Sequence, residues 1–211
     1  MRGNSADRGE FRRAFDVSRE TMGRLDAFAG EVEKWTAKIN LVAPGTLGDI
    51  WRRHIADSAQ LFDVAGVSAG LWLDAGSGGG FPAVVVAILA LEKAPRLRFK
   101  MVDSDTRKAA FLQTVTGNLG LHATVVNRRV EELPPTNADI VSARALAPLG
   151  KLLTLTARHR SNSGLLLFPK GRNYRTELTG AARCWKLAVE EIPSRTDPDS
   201  VILRISEAVR V

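Results

Sequence analysis

The chain has 211 residues, 45% of them hydrophobic and 25% charged, enough for one sizeable core in a single domain with a short extension. A single cysteine, Cys184, excludes an internal disulfide and any cysteine-based metal cluster, and the three histidines His54, His122 and His159 show no metal-ligand spacing, so no metal site is expected. A formal net charge of +7 points to a polyanionic partner, most simply nucleic acid. No apolar run approaches the ~18 residues of a membrane span, and Met1 to Arg8 carry no apolar segment of a secretory signal. With the lone cysteine, these features lead us to expect a cytoplasmic protein that touches no membrane, a monomer being the simplest assembly.

Residues 1 to about 10 are polar and without periodicity, and are expected to be disordered. Residues 11–65 read as a helical cap and 66–211 as the main domain, the two forming one compact unit. Phe11, Phe15, Met22, Leu25, Phe28, Val32 and Trp35 recur at the period of an amphipathic helix, or of two with breaks at Gly23 or Gly30. Pro44-Gly45 marks a turn. Thr46-Leu47-Gly48-Asp49 has the form of a capping box, ending in Asp rather than Glu or Gln, and predicts a helix that starts there. That helix would carry Ile50, Trp51, His54, Ile55, Ser58, Leu61 and Phe62 on one side. His54 would neighbour Asp57 and Ser58, chiefly as a structural hydrogen-bond cluster. Arg52 and Arg53 beside it suit phosphate contact or a solvated face.

The run from Leu71 to Pro82 organises everything that follows. An apolar strand ends in Asp74, four glycines fall within Gly76 to Gly80, and an apolar helix begins near Val84. A dinucleotide fingerprint would place its last glycine where Phe81 stands. The spacing Asp74-x-Gly76-x-Gly78-x-Gly80 instead resembles the first motif of Rossmann-like S-adenosylmethionine (SAM) methyltransferases. Beyond it, strand and helix patterns alternate: strands at Phe99–Asp103, Ala123–Asn127, Ala138–Ser142 and Gly164–Phe168, and helices at Thr106–Leu119, Leu149 to about Arg158 and Thr176–Lys186. Leu187–Ile192 and Val201–Ile205 then flank a loop rich in Pro, Asp and Ser, as in a hairpin. The expected architecture is a mostly parallel, doubly wound sheet with helices on both faces and an antiparallel edge.

In such a sheet the ligand binds at the carboxyl ends of the strands. The glycine turn from Gly76 to Gly80 would offer backbone N–H groups and an uncrowded wall to the amino-acid part of SAM. Asp103 is placed to accept hydrogen bonds from two ribose hydroxyls. Val130 and Glu131, just past the third strand, would border the adenine. Arg144, after the fourth strand, would meet the target base or the cofactor carboxylate.

These residues carry a wider resemblance. Lys38-Ile39-Asn40-Leu41, Arg53-His54-Ile55-Ala56-Asp57-Ser58, Asp74 to Pro82, Val102-Asp103-Ser104, Arg129-Val130-Glu131-Glu132, Ser142-Ala143-Arg144-Ala145 and Pro169-Lys170-Gly171 occur in the order seen in the glucose-inhibited division protein B family. The chain resembles this family of bacterial 16S rRNA guanine-N7 methyltransferases from about Trp35 to Gly171. One departure is Ala83, where the family usually has Gly after Phe-Pro. The resemblance implies SAM-dependent methylation of N7 of a guanine in the 530 loop of 16S rRNA, on the free RNA or the small subunit. It also implies that Gly76, Phe81, Val130, Glu131 and Arg144 contact SAM; the glycine pattern and the end of the second strand add Gly78, Gly80 and Asp103 to the cofactor site. An N7 target is chemically economical, because its lone pair is free in the neutral base and no general base is needed; catalysis rests on alignment. A C5-pyrimidine enzyme would need a cysteine near the fourth strand, and Cys184 lies well outside it. Arg144 and Lys170 are candidates to orient guanine O6 or RNA phosphate. Arg52, Arg53, His54, Lys170 and Arg172 are candidates for RNA contact. A nicotinamide oxidoreductase and a non-catalytic RNA-binding protein are the competing readings. Titration with NAD against SAM separates the first, and RNA binding without methyl transfer would mark the second.

Overall fold

A computed structural model describes residues 2–211, with side chains from Asp7 onward. Helix α1 (Arg2–Phe15) occupies the stretch expected to be disordered; only Met1 lies outside the described residues. Its own sequence gives little reason to be helical, so the cause is tertiary. Phe11 is buried against Trp51 at 5.5 Å between ring centroids, and the Arg8 guanidinium lies over the same indole while pairing with Asp26. Helix α2 (Arg19–Thr36) follows, capped by Ser18, whose hydroxyl accepts the Thr21 N–H at 3.1 Å. The break between the two helices therefore falls at Asp16–Ser18, and Gly23 and Gly30 run on inside α2. Met22, Leu25, Phe28, Ala29 and Val32 form its buried stripe.

The expected capping box does not form. Pro44–Asp49 is a 3₁₀ turn, and the Thr46 hydroxyl donates to the Ala43 carbonyl at 2.7 Å. Trp51–Ala56 then adopts π-helical geometry before α3 (Asp57–Ala65) continues the same rod. Such wide turns are rare and are frequently found at functional sites.

Seven strands form one sheet: β1 (Ala69–Ala75), β2 (Arg96–Val102), β3 (Ala123–Val126), β4 (Ala138–Ser142), β5 (Arg160–Lys170), β6 (Trp185–Pro193) and β7 (Val201–Arg210). Their order is β3-β2-β1-β4-β5-β7-β6, with β7 running opposite to the other six. The expected hairpin is β6–β7, and both strands extend beyond the lengths read from the sequence. Helices α4 (Ala83–Lys93), α5 (Thr106–Asn118), α6 (Leu149–Thr156) and α7 (Tyr174–Ala181) connect the strands. Strand side chains alternate between two cores. Trp72, Ile140, Leu167 and Ile202 pack with α1–α5, whereas Leu73, Val141, Leu166 and Leu203 pack with α6 and α7. From Ala83 to Ala90 every residue of α4 is buried, so Ala83 sits inside the core at the start of the helix. Strand order reverses between β1 and β4, and the carboxyl ends of these two strands face the site.

Candidate active site

Two cavities meet at the strand ends and share one wall, the strap Arg144–Ala147 that leaves β4. The first, about 470 Å³, lies over the glycine turn and is bounded by Leu41, Asp103, Val130, Glu131 and the strap. The second, about 570 Å³, lies between the strap, Pro169–Gly171 and the β6–β7 loop.

The glycine turn closes on itself. The N–H groups of Gly76 and Ser77 donate to the Val102 carbonyl at 2.8 and 3.0 Å, that of Gly80 to Ser77, and that of Gly78 to Asp103 Oδ2 at 2.8 Å. The expectation that these amides face a ligand is therefore corrected for four of them; they lock the turn onto β2. What the turn does provide is absence of side chains. A Cβ on Gly76, whose φ is +68°, would come within 2.7 Å of Leu146, and one on Gly79 within 2.9 Å of the Leu41 carbonyl oxygen. Gly80 does not line the cavity; its Cα faces Val84 and Phe28 in the core. Gly76, Gly78, Phe81, Asp103, Val130, Glu131 and Arg144 do line it.

Asp103 accepts the Gly78 N–H on one oxygen and the Asp105 N–H, at 2.8 Å, on the other. Each carboxylate oxygen keeps a second lone pair. Buried His159 holds the neighbouring wall by donating from Nε2 to the Val130 carbonyl at 3.1 Å. Beneath the turn, Asp74 is fully buried, accepts the Ser142 hydroxyl on Oδ1, and has no hydrogen-bond partner on Oδ2. Burial pushes its carboxyl up to about 6, against the opposing pull of the Ser142 bond.

Arg144 is the point where the cap meets the sheet. One guanidinium nitrogen reaches Asp57 Oδ2 at 3.3 Å and the Arg53 carbonyl at 3.5 Å, and the other reaches His54 Nδ1 at 3.1 Å. The group lies 5.1 Å from the centroid of Phe81. Burial lowers the Arg144 pKa from its ordinary value while Asp57 raises it. Burial, then the charges of Arg144 and Arg53, push His54 down to about 4, so the ring is neutral at pH 7.

This placement corrects two expectations from the sequence. His54 is turned inward between Thr46 and Arg144 and presents no charge to RNA. Lys170 points at neither cavity freely: its ammonium donates to the Ala147 carbonyl at 3.0 Å and pairs with Glu177 at 2.8 Å. Glu177 in turn accepts the Leu149 N–H at 2.7 Å, so the pair ties the end of the strap to the start of α6. Ser58 is buried with its hydroxyl unpartnered, and of the expected cluster only His54 and Asp57 are joined, through Arg144. Arg52, Arg53 and Arg172 are exposed; Arg52 and Arg53 line a groove against Thr196–Pro198, and Arg172 lies 3.8 Å from Asp199.

Sequence reasoning missed Leu41, Leu146, Lys108 and Lys151, all of which border the first cavity. Leu41 lies in a segment already notable for its similarity to the family; the two lysines carried no signal, being ordinary helix charges until the fold sets them at the cavity mouth.

The fold is that of the SAM-dependent methyltransferases. A SAM-dependent methyltransferase from Aquifex aeolicus superposes with a TM-score of 0.58 at 14% identity, covering 84% of this chain and 98% of that one. A second methyltransferase structure, from Methanococcus maripaludis, gives 0.56 at 11% identity over 85% and 91%. Sequence comparison is narrower. The family model for rRNA small subunit methyltransferase G matches residues 21–199. The ribosomal RNA small subunit methyltransferase G of Cereibacter sphaeroides is 50% identical over 94% of this chain and 95% of the relative, and that of Rhodospirillum centenum 49% over 94% and 89%. The chain belongs to the rRNA small subunit methyltransferase G family.

Proposed function

We propose that this chain transfers a methyl group from SAM to N7 of a guanine in the 530 loop of 16S rRNA, acting in the cytoplasm. The observation that carries this reading is the pair of cavities on either side of one strap, a donor site and a base site separated by the residue Arg144. SAM supplies an electrophilic sulfonium methyl; the chain's own residues bind and orient.

The first cavity suits SAM. Its volume of about 470 Å³ falls in the range of small-molecule sites. Gly76 and Gly79 carry no Cβ where one would clash with Leu146 and Leu41, so these two residues can close over the turn as walls of the cavity. Asp103 retains lone pairs for ribose hydroxyls, and Val130 and Glu131 border the place of the adenine. Gly78 and Phe81 complete the floor.

The second cavity takes the target base. A guanine held there needs no proton removed from N7, so the chain's contribution is alignment across the strap. Of the strap residues on both walls, Arg144 is the one with a charged side chain, which is placed to meet both reactants. Lys170 fixes the strap rather than touching the base. Arg52, Arg53 and Arg172 supply exposed charge for RNA phosphates. No helix among the described residues is long and apolar enough to cross a membrane.

The test is transfer of labelled methyl from SAM to small ribosomal subunits whose 16S rRNA lacks the modification, followed by mapping of the labelled nucleotide. One labelled guanine in the 530 loop, carrying the group on N7, is expected. Label on another base, or none, would overturn the reading.

A further inference from the structure

Arg144 has two guanidinium arms, and different elements hold them. The arm that reaches Asp57 also reaches the Arg53 carbonyl, at 3.3 and 3.5 Å. Asp57 is itself anchored, its Oδ1 accepting from Gln60 and Thr196 at 3.1 Å each. One held arm neutralises the charge but leaves the planar group free to swivel about that contact. The second arm meets a single partner, His54 Nδ1, at 3.1 Å. A guanidinium donates only, so Nδ1 must accept and carry no proton.

The rest of the ring is arranged to keep it so. Thr46 gives its hydroxyl hydrogen to the Ala43 carbonyl at 2.7 Å, so its oxygen accepts from His54 Nε2 at 2.8 Å. The imidazole also packs on Phe81 at 5.1 Å, the same ring that lies under the Arg144 guanidinium. Its backbone is the π-helical turn Trp51–Ala56, in which the Asp57 N–H bonds to the His54 carbonyl. A wide turn, a hydroxyl relay and an aromatic floor thus converge on one lone pair.

We propose that His54 is a positioning residue: with Nε2–H given to Thr46, its Nδ1 accepts from Arg144 and sets the direction in which the guanidinium enters the shared wall of the two cavities. Asp57 balances the charge of Arg144, and His54 orients it. The role deepens the methyltransferase reading and rests on it for its consequence in catalysis, but the hydrogen bond itself has a readout independent of activity.

That readout is the ¹⁵N NMR spectrum of the histidine rings at pH 7. His54 should show the Nε2–H tautomer, and its Nδ1 resonance should shift toward that of a free acceptor in Arg144→Ala. An Nδ1–H tautomer, or a resonance that ignores Arg144→Ala, would overturn the proposal whether or not the protein methylates RNA. The functional arm is a double-mutant cycle measured as kcat/KM for methyl transfer. His54→Asn can place an amide oxygen near the position of Nδ1 and should stay within about 3-fold of wild type. His54→Gln reaches instead toward Thr46 and should fall by about 10-fold or more, as should Thr46→Val, which leaves the imidazole in place but removes its hydrogen-bond anchor. In the Arg144→Ala background none of these changes should cost anything further. Equal losses for Asn and Gln, or losses that simply multiply with that of Arg144→Ala, would assign His54 a packing role and overturn the proposal.

Discussion

The glycine turn and the Arg144 strap face each other across one cavity, yet they are stabilised in opposite ways. The turn is closed mostly by backbone, with the N–H groups of Gly76, Ser77 and Gly80 bonded to carbonyls within the turn or at the end of β2 and that of Gly78 to the Asp103 carboxylate. The strap is held almost wholly by side chains from distant parts of the sequence: His54 and Asp57 on the cap side, Lys170 and Glu177 on the other. Ala145 within it has φ +54°, a left-handed backbone conformation that a non-glycine residue adopts only when its surroundings enforce it. A turn built from backbone makes a rigid floor. A strap built from long-range contacts can position one charged group between two ligands.

The sharpest way to break the floor is to add volume where only backbone can yield. Gly79→Val would drive a side chain into the Leu41 carbonyl, and SAM affinity by calorimetry should fall by ~100-fold or more. Gly66→Asn is the matched control: at φ +62° after α3, with nothing within 4 Å of its added Cβ and away from both cavities, it should stay within about 3-fold. Similar losses for both would mean that the turn is not the rigid element described. On the strap, Arg144→Ala leaves Asp57 without its counter-charge and should reduce kcat/KM by roughly 100-fold, and Arg144→Lys should recover little because one ammonium cannot satisfy both arms. Full recovery by Lys would show that charge alone matters.

A smaller loss separates gripping the strap from touching the substrate. Lys170→Met should lower kcat/KM by about 10-fold, and Glu177→Gln by a comparable amount, because both release the same segment. If Lys170 touched the base or a phosphate, its substitution alone would be severe and would also flatten the salt dependence of RNA binding. Arg172→Ala, at an 80% exposed side chain, should change activity little at low salt and reduce the slope of log affinity against log salt by roughly 1.

The smallest effect concerns pH. The His54 pKa is lowered from 6.5 to about 4 in the folded state, so its contribution to stability is complete above 6.5 and lost as pH falls toward 4. The Asp74 pKa is raised from 3.8 to about 6, so its contribution runs the other way, present at low pH and lost as pH rises through 6. The two nearly cancel over the same window. Urea melts of Asp74→Asn should therefore lose stability more steeply below pH 6 than wild type, whereas His54→Asn should gain on acidification over that range. Parallel curves for all three proteins would show that neither group is perturbed.

Legibility in the sequence followed the same division. The turn could be read because its determinants are contiguous: an apolar strand, Asp74, glycines at alternate positions, then an apolar helix. The alternation of strands and helices placed Asp103, Val130 and Arg144 at successive strand ends, and all three line the first cavity. What the turn does with its N–H groups was not legible, because the partner carbonyl of Val102 lies in another strand. Lys170 looked like a substrate contact for the same reason: nothing local indicates that it meets Ala147 and Glu177. For His54 the sequence suggests chiefly a structural hydrogen-bond cluster with Asp57 and Ser58, and RNA contact besides, but not its partner Arg144, which is 90 residues away. The N-terminal helix was misjudged because its stability resides in Trp51, outside its own segment. Resemblance to a family supplied what spacing could not, the identity of the methyl acceptor.

The central claim is that the site around Arg144 performs the methylation of one 16S rRNA guanine. It is tested most directly by mass spectrometry of 16S rRNA from cells lacking this protein, complemented with wild type or with Arg144→Ala. A single guanine in the 530 loop should lack its N7 methyl in the deletion, regain it with wild type, and remain unmodified with Arg144→Ala. A fully methylated guanine in the deletion, or full restoration by Arg144→Ala, would contradict it.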